Sequence, residues 1–410
     1  MINEISVAKM LESKISDFKD SNFFDLESNV SKSSDLKSTN RDFETSEKDE
    51  NQKCDFYELK DSEPKNSKNK KKNFEESESE NQKQEFLKSA FQESNSLKSK
   101  NGKNNIQEKF ILIPFYFGGK PLSDEKSPRW GMTLLSAGTM RFRWNEKNEN
   151  RDKIFEEILE SQNSKGKKIV PIELIHSKIV VEAKNYGNTK NIQADGIVTK
   201  NRNLIPAVTV ADCVPIFLYD TKTGAFGVFH SGWKGTGIAE NGVKKMAELY
   251  GSKPENICAA IGPHIQSCCY NIDEERAKYF IENFGKDCVS ENISETKVSE
   301  DKISKNELSK NAREVSKSEL SKKSSEKQDK KFPYALSLTQ ANLFVLKKAG
   351  IKEENIVAAT DCTCCAKFSN GKSVFGSFRR QAASLPPEIL KNLEKDELSR
   401  KMTVQAAFVI

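Results

Sequence analysis

Apolar positions along this chain fall into two blocks separated by a polar stretch, with a longer polar stretch ahead of them. Residues 1–108 are built mainly from Ser, Lys, Glu, Asn and Asp, with aromatics such as Phe18, Phe43, Phe56 and Phe91 standing apart among them. Such a stretch buries too little apolar surface to offset its ordering entropy, so it predicts a disordered polar arm. Residues 286–330 repeat an aliphatic residue ahead of serine, as in Ile303-Ser304, Leu308-Ser309 and Leu320-Ser321, at steps of mostly five. A step of five turns a helix by about 140°, which scatters these side chains around the axis. With no shared face, the segment predicts a flexible low-complexity insertion and not a coiled coil. What remains, 109–285 and 331–410, reads as two parts of one folded domain of ordinary size.

Within the first block, residues 208–237 hold two short apolar runs joined by a polar turn at 220–224. The runs are rich in Val and Phe and predict buried strands. Cys213 interrupts the first and His230 ends the second. If both lie at the same end of the sheet, the strand pair brings the thiol and the imidazole together. After His230, Ser231-Gly232-Trp233-Lys234-Gly235 forms a glycine-bracketed turn into a helix on which Ala239, Val243, Met246 and Tyr250 recur at helical spacing. A strand, a glycine turn and a helix N-terminus in succession are a common place to hold an anion or a reacting group. Further helices are expected at 152–161, 273–285 and within 334–351, the last ended by Gly350. Strands are expected from Phe110, across 170–183 with His176 inside the apolar run, at 257–262, near 355–360 and at the closing 402–410.

Composition narrows the function classes. The formal net charge of +6 is small for this length, and a solvated lysine surface accounts for it, so no nucleic-acid partner is expected. No apolar run approaches the roughly 18 residues that span a bilayer, and the first ten residues lack a signal-peptide pattern. No membrane partner is therefore expected, and a cytoplasmic location is. Nine cysteines, some adjacent, fit reduced thiols better than a disulfide framework.

The chain has three histidines, His176, His230 and His264. Two imidazoles and one thiolate make the ligand set of a catalytic zinc site whose fourth position stays open for water. Cys362, Cys364 and Cys365 offer a competing structural zinc site, but they lack a fourth partner at the customary spacing. Arg379 and Arg380 read either as a cationic cradle or as a surface ion-pair site.

The runs ADGIVT (194–199), ADCVPIFLYD (211–220), HSGWKGT (230–236), IGPHIQSCCYNI (261–272), LTQAN (338–342) and SFRR (377–380), in that order, resemble the polyphenol-oxidase or laccase-domain family of purine nucleoside phosphorylases. The resemblance implies an α/β fold, a sandwich of mixed sheets, with 109–285 and 331–410 as the two parts of a catalytic domain. It implies a metal site of His176, Cys213 and His230 holding zinc. The implied substrates are purine nucleosides and phosphate, with phosphorolysis of adenosine, inosine, guanosine or methylthioadenosine and deamination of adenosine. Asp212 would be a catalytic carboxylate behind Cys213 and His230, and Lys234, Arg379 and Arg380 would bind phosphate. The chain departs from the family pattern at Leu174 and Ser177 around His176, and at Ser136-Ala137-Gly138 in an early glycine turn. A multicopper oxidase needs far more imidazoles than three. A peptidoglycan-editing hydrolase using the same site, and a zinc-stabilised binding module without catalysis, are the alternative readings.

Overall fold

The structure is a computed structural model that describes residues 2–13, 108–142, 146–292, 332–392 and 395–410. Two mixed sheets form its centre. The larger contains β1 (Asn3–Ile5), β2 (Val180–Glu182), β3 (Gly196–Thr199), β4 (Val214–Asp220), β5 (Phe226–Ser231), β6 (Ile257–Ile261) and β7 (Ile356–Ala359), in the spatial order β1-β7-β6-β4-β5-β3-β2. The smaller runs Phe110–Pro114, Arg129–Thr133, Gln405–Val409, Leu204–Val210 and Lys168–Pro171. Both parts of the chain thus supply strands to both sheets.

The all-apolar runs follow from burial on two faces. On β4, Phe217 and Tyr219 point into the core between the sheets, where the Trp130 ring stacks on Phe217 with centroids 5.1 Å apart. Ile216 and Leu218 point the other way, into a second core. That core is closed by α2 (Ile238–Tyr250), α3 (Glu274–Phe284) and α4 (Leu338–Lys348), which contribute Val243 and Met246, Phe280, and Leu343 and Leu346. On the outer face of the smaller sheet, α1 (Glu149–Ser161) packs Ile154, Phe155 and Ile158 against Leu112, Ile205 and Phe408. The result is helix, sheet, sheet, helices: the mixed-sheet α/β sandwich expected. A short helix α5 (Phe378–Ala383) starts at Ser377, whose side chain caps it by accepting from the Arg380 N–H. No helix among the described residues is long and apolar enough to cross a membrane.

Two boundaries differ from the sequence reading. Residues 14–107 and 293–331, the bulk of the expected arm and insertion, lie outside the described residues. The first residues do not behave as an arm. β1 adds to the edge of the larger sheet in parallel with β7, Asn3 opposite Val357 and Ile5 opposite Ala359. Helical residues 7–13 follow, with Val7 and Leu11 buried in the core between the sheets. A composition average over a hundred polar residues hides a segment of a dozen with apolar residues at every third or fourth place. The insertion also begins later than expected, because Val289–Glu291 pairs antiparallel with Tyr334–Leu336. The expected strand through His176 is absent as well: His176 sits in the bend between Lys168–Pro171 and β2, at φ 59°.

Candidate metal centre

Antiparallel pairing of β4 with β5 sets Val214 opposite Ser231 and Pro215 opposite His230. Cys213, one residue ahead of β4, therefore lies beside His230 at the same end of the sheet. The bend carrying His176 closes over them. Nitrogens of the two imidazoles and the Cys213 sulfur lie within 4.8 Å of one another, and the rings meet edge to face with centroids 4.8 Å apart. His230 is buried, Cys213 half-buried and His176 exposed, so the group opens to solvent on the His176 side. Gly232 explains its own identity here. A Cβ at this position would lie 3.1 Å from His176 Cδ2 and 3.3 Å from Cys213 Sγ, so a side chain would crowd two of the three donors.

One buried carboxylate organises both histidines. Asp195, fully buried just ahead of β3, accepts from His230 Nδ1 at 2.8 Å, which leaves Nε2 for a metal. The same carboxylate accepts from the backbone N–H groups of His176 at 3.0 Å and Ser177 at 2.6 Å, and from the Ser177 hydroxyl at 2.7 Å. These bonds hold His176 in a left-handed backbone conformation that a non-glycine residue adopts at a cost of about 1–3 kcal/mol. Burial alone would push the Asp195 carboxyl up, but its bond to His230, that ring's charge and the Ser177 bonds bring it below the usual range.

Charge within the group matches a ligand set. Burial pushes the Cys213 thiol up, yet the His230 charge and hydrogen bonds from both imidazoles outweigh it and bring it down to about 6. For His230, burial works against protonation, while the Cys213 thiolate and Asp195 raise it to about 10. Cys213 is thus poised as a thiolate, the form that binds metal. A soft thiolate with two imidazoles and an open side fits zinc.

The remaining candidate residues divide. Asp212, at φ 79°, is not among the clustered donors. Its carboxylate accepts from Thr363 Oγ1 at 2.7 Å, Ser377 Oγ at 3.0 Å and the Arg379 N–H at 2.7 Å, so it ties the turn before Cys213 to the start of α5. Arg380 is likewise committed. Its guanidinium donates to the carbonyls of Thr363 at 2.8 Å, Cys364 at 2.6 Å and Phe375, which braces the cysteine-rich loop. Arg379 lies over the Tyr270 ring at 5.6 Å, and Lys234 lies over the Trp233 ring at 5.4 Å. His264 is fully buried away from the donors, its Nδ1 on the Gly262 carbonyl at 2.8 Å, and burial pushes it down to about 4.

Three residues with no role assigned from sequence complete the surroundings. Arg276 of α3 stacks on Trp233 at 4.5 Å, and Tyr270, buried, feels the charges of Arg276, Cys213 and Arg379. Asp195 is the third. Its signal was the ADG run, but its partners are chiefly backbone groups and a distant histidine, which no local pattern displays.

The family model described as multi-copper polyphenol oxidoreductase laccase matches residues 140–308. Among curated proteins, the chain is 46% identical over 82 residues to the purine nucleoside phosphorylase YlmD of Bacillus subtilis, covering 20% of this chain and 30% of that protein. It is 36% identical over 125 residues to a purine nucleoside phosphorylase of Clostridium acetobutylicum, covering 30% of this chain and 51% of that one. The chain thus spans about half, or less, of these relatives. Among solved structures, the hypothetical protein YfiH of Bacillus licheniformis superposes with a TM-score of 0.51 at 20% identity, covering 75% of this chain and 97% of that one, which supports the fold.

Proposed function

Because the chain carries a domain of the multi-copper polyphenol oxidoreductase laccase family, with curated relatives named purine nucleoside phosphorylase, we propose that it is a zinc-dependent enzyme acting on purine nucleosides. The reading includes phosphorolysis of adenosine, inosine, guanosine or methylthioadenosine and deamination of adenosine, in a cytoplasmic setting. The observation that carries it is Asp195, which fixes the orientation of both histidines around an open, thiolate-bearing donor set. His176, Cys213 and His230 would hold the zinc, which when bound supplies a Lewis acid at the open position.

The chain's own groups would do the rest. Asp195 keeps the His230 Nδ1 proton and so fixes the ring's tautomer. Tyr270, which feels the Cys213 charge, and Trp233 would supply aromatic surface, and Arg276, Arg379 and Lys234 lie over those rings. This gives phosphate a cationic side without Arg380, whose donors go to carbonyls. A multicopper reading lacks ligands, since His264 is bonded elsewhere and two imidazoles remain at the site.

A panel of nucleosides assayed with and without phosphate, in wild type and in Arg379→Gln, tests this. Loss of a charge-assisted phosphate contact costs about 1.5–3 kcal/mol, so phosphorolysis is expected to fall roughly ten- to a hundredfold in the phosphate-dependent term. Deamination, which needs no phosphate, should fall less. Failure of the wild type to turn over any purine nucleoside would overturn the function, and equal loss of both activities in Arg379→Gln would overturn the phosphate assignment.

A further inference from the structure

A second group of donors lies apart from the triad. The cysteine loop 362–365 follows β7, and Cys268-Cys269 lie in the loop that follows β6. Cys362, Cys364 and Cys365 have no fourth ligand beside them in sequence at the customary zinc spacing. Topology supplies partners instead, across almost a hundred residues: β6 and β7 are parallel neighbours, so the loops leaving them emerge side by side at the same end of the sheet. A bridge between His264 and Cys362, and the Thr363 N–H on the His264 carbonyl at 3.0 Å, hold the two loops in register.

We propose that Cys268, Cys269, Cys362 and Cys365 bind a structural zinc ion that clamps these two loops together. Their four sulfurs lie within 4.8 Å of one another. Cys268 Sγ is 3.7 Å from Cys365 Sγ and 3.9 Å from Cys269 Sγ. Four thiolates at the usual zinc–sulfur distance of about 2.3 Å stand about 3.8 Å apart along the edges of a tetrahedron. A disulfide would need about 2.05 Å. The spacing therefore fits thiolates around one ion, and it is too tight for an iron–sulfur cluster, which distributes its thiolates over several irons.

Other details suit a metal-bound thiolate. Cys362 is buried and its sulfur accepts the Gln266 N–H at 3.4 Å. Cys362 and Cys365 have the two-residue separation common in zinc ligands. Such a clamp would bear on the neighbouring site, because Tyr270 follows Cys269 directly and Thr363 holds the Asp212 carboxylate at 2.7 Å.

The test separates the two sites. The full chain carrying Cys213→Ser with His230→Ala, purified anaerobically from zinc-supplemented cells, is expected to keep about one zinc per chain by elemental analysis, matching one closed four-thiolate site. Adding Cys362→Ser and Cys365→Ser should remove it. Since that last variant can misfold, the triad variant is also loaded with Co(II) after zinc removal. Intense visible d–d bands with near-ultraviolet thiolate charge transfer are expected, as for tetrahedral Co(II) on sulfur. A triad variant without zinc and without these bands would overturn the proposal, as would a Cys268–Cys365 disulfide found by mass spectrometry in the anaerobic protein. None of these readouts depends on nucleoside turnover.

Discussion

At the scale of single residues, the two acidic groups near the candidate metal centre do different work. Asp195 gathers the His230 ring, the backbone N–H groups of Ile175, His176 and Ser177, and the Ser177 hydroxyl on one carboxylate. An amide in its place has one acceptor oxygen, no charge and an N–H pair facing donors. Asp195→Asn is therefore expected to weaken zinc binding by the triad by about ten- to a hundredfold, the usual cost of losing an orienting partner. Asp212 binds Thr363, Ser377 and the Arg379 N–H instead, so Asp212→Asn should lower stability with triad affinity little changed. Competition with a chromophoric chelator on protein whose cysteine-loop metal is accounted for reads both. Equal affinity in wild type and Asp195→Asn would remove Asp195 from the metal centre.

At the scale of elements, β1 and the helical residues after it cover the edge of the larger sheet next to β7. Ile5, Val7 and Leu11 are buried there, and Asp361, next to Cys362, accepts from the Val7 N–H at 2.5 Å and the Ala8 N–H at 3.2 Å. Each such apolar side chain contributes about 1.5–3 kcal/mol on burial. Deleting residues 2–13 should therefore lower the urea midpoint clearly, with the Asp361 carboxylate losing its donors; an unchanged midpoint would show the edge strand to be dispensable. What the sequence displayed, and what it did not, follows the same physics. β4 and β5 were legible because both faces are buried, which makes them continuous apolar runs, one preceded by Cys213 and the other carrying His230 near its end. β1 was not, because its three residues, Asn-Glu-Ile, carry a single apolar side chain, Ile5. The His176 bend reads as a strand in sequence because Ile175 and Ile179 look like core positions, yet both are exposed. The partnership of Cys268 and Cys269 with the 362–365 loop is a property of strand order, which no window of sequence contains.

At the scale of the molecule, the same accounting bears on the polar segment between the two parts of the domain. Its two ends meet. Val289–Glu291 pairs with Tyr334–Leu336, the Asn292 N–H donates to the Pro333 carbonyl at 2.8 Å, and the Asn292 side chain donates to the Phe332 carbonyl at 3.1 Å. The chain thus leaves and re-enters at one point of a hairpin, remote in sequence from the donors at 176, 213 and 230. Loop-closure entropy grows only slowly with length, by about 0.6 kcal/mol for each doubling, so a long connection costs the fold little and a short one gains it little. Replacing residues 293–331 with a short Asn-Gly-containing turn should leave a folded enzyme, because such turns match the twist of paired antiparallel strands. The melting temperature is expected to stay the same or rise slightly, and nucleoside turnover to match the full chain. Both are measured on the purified variant beside wild type. A folded variant with normal zinc content but no turnover would show that 293–331 takes part in activity, and a variant that does not fold would show that the hairpin depends on the segment it carries.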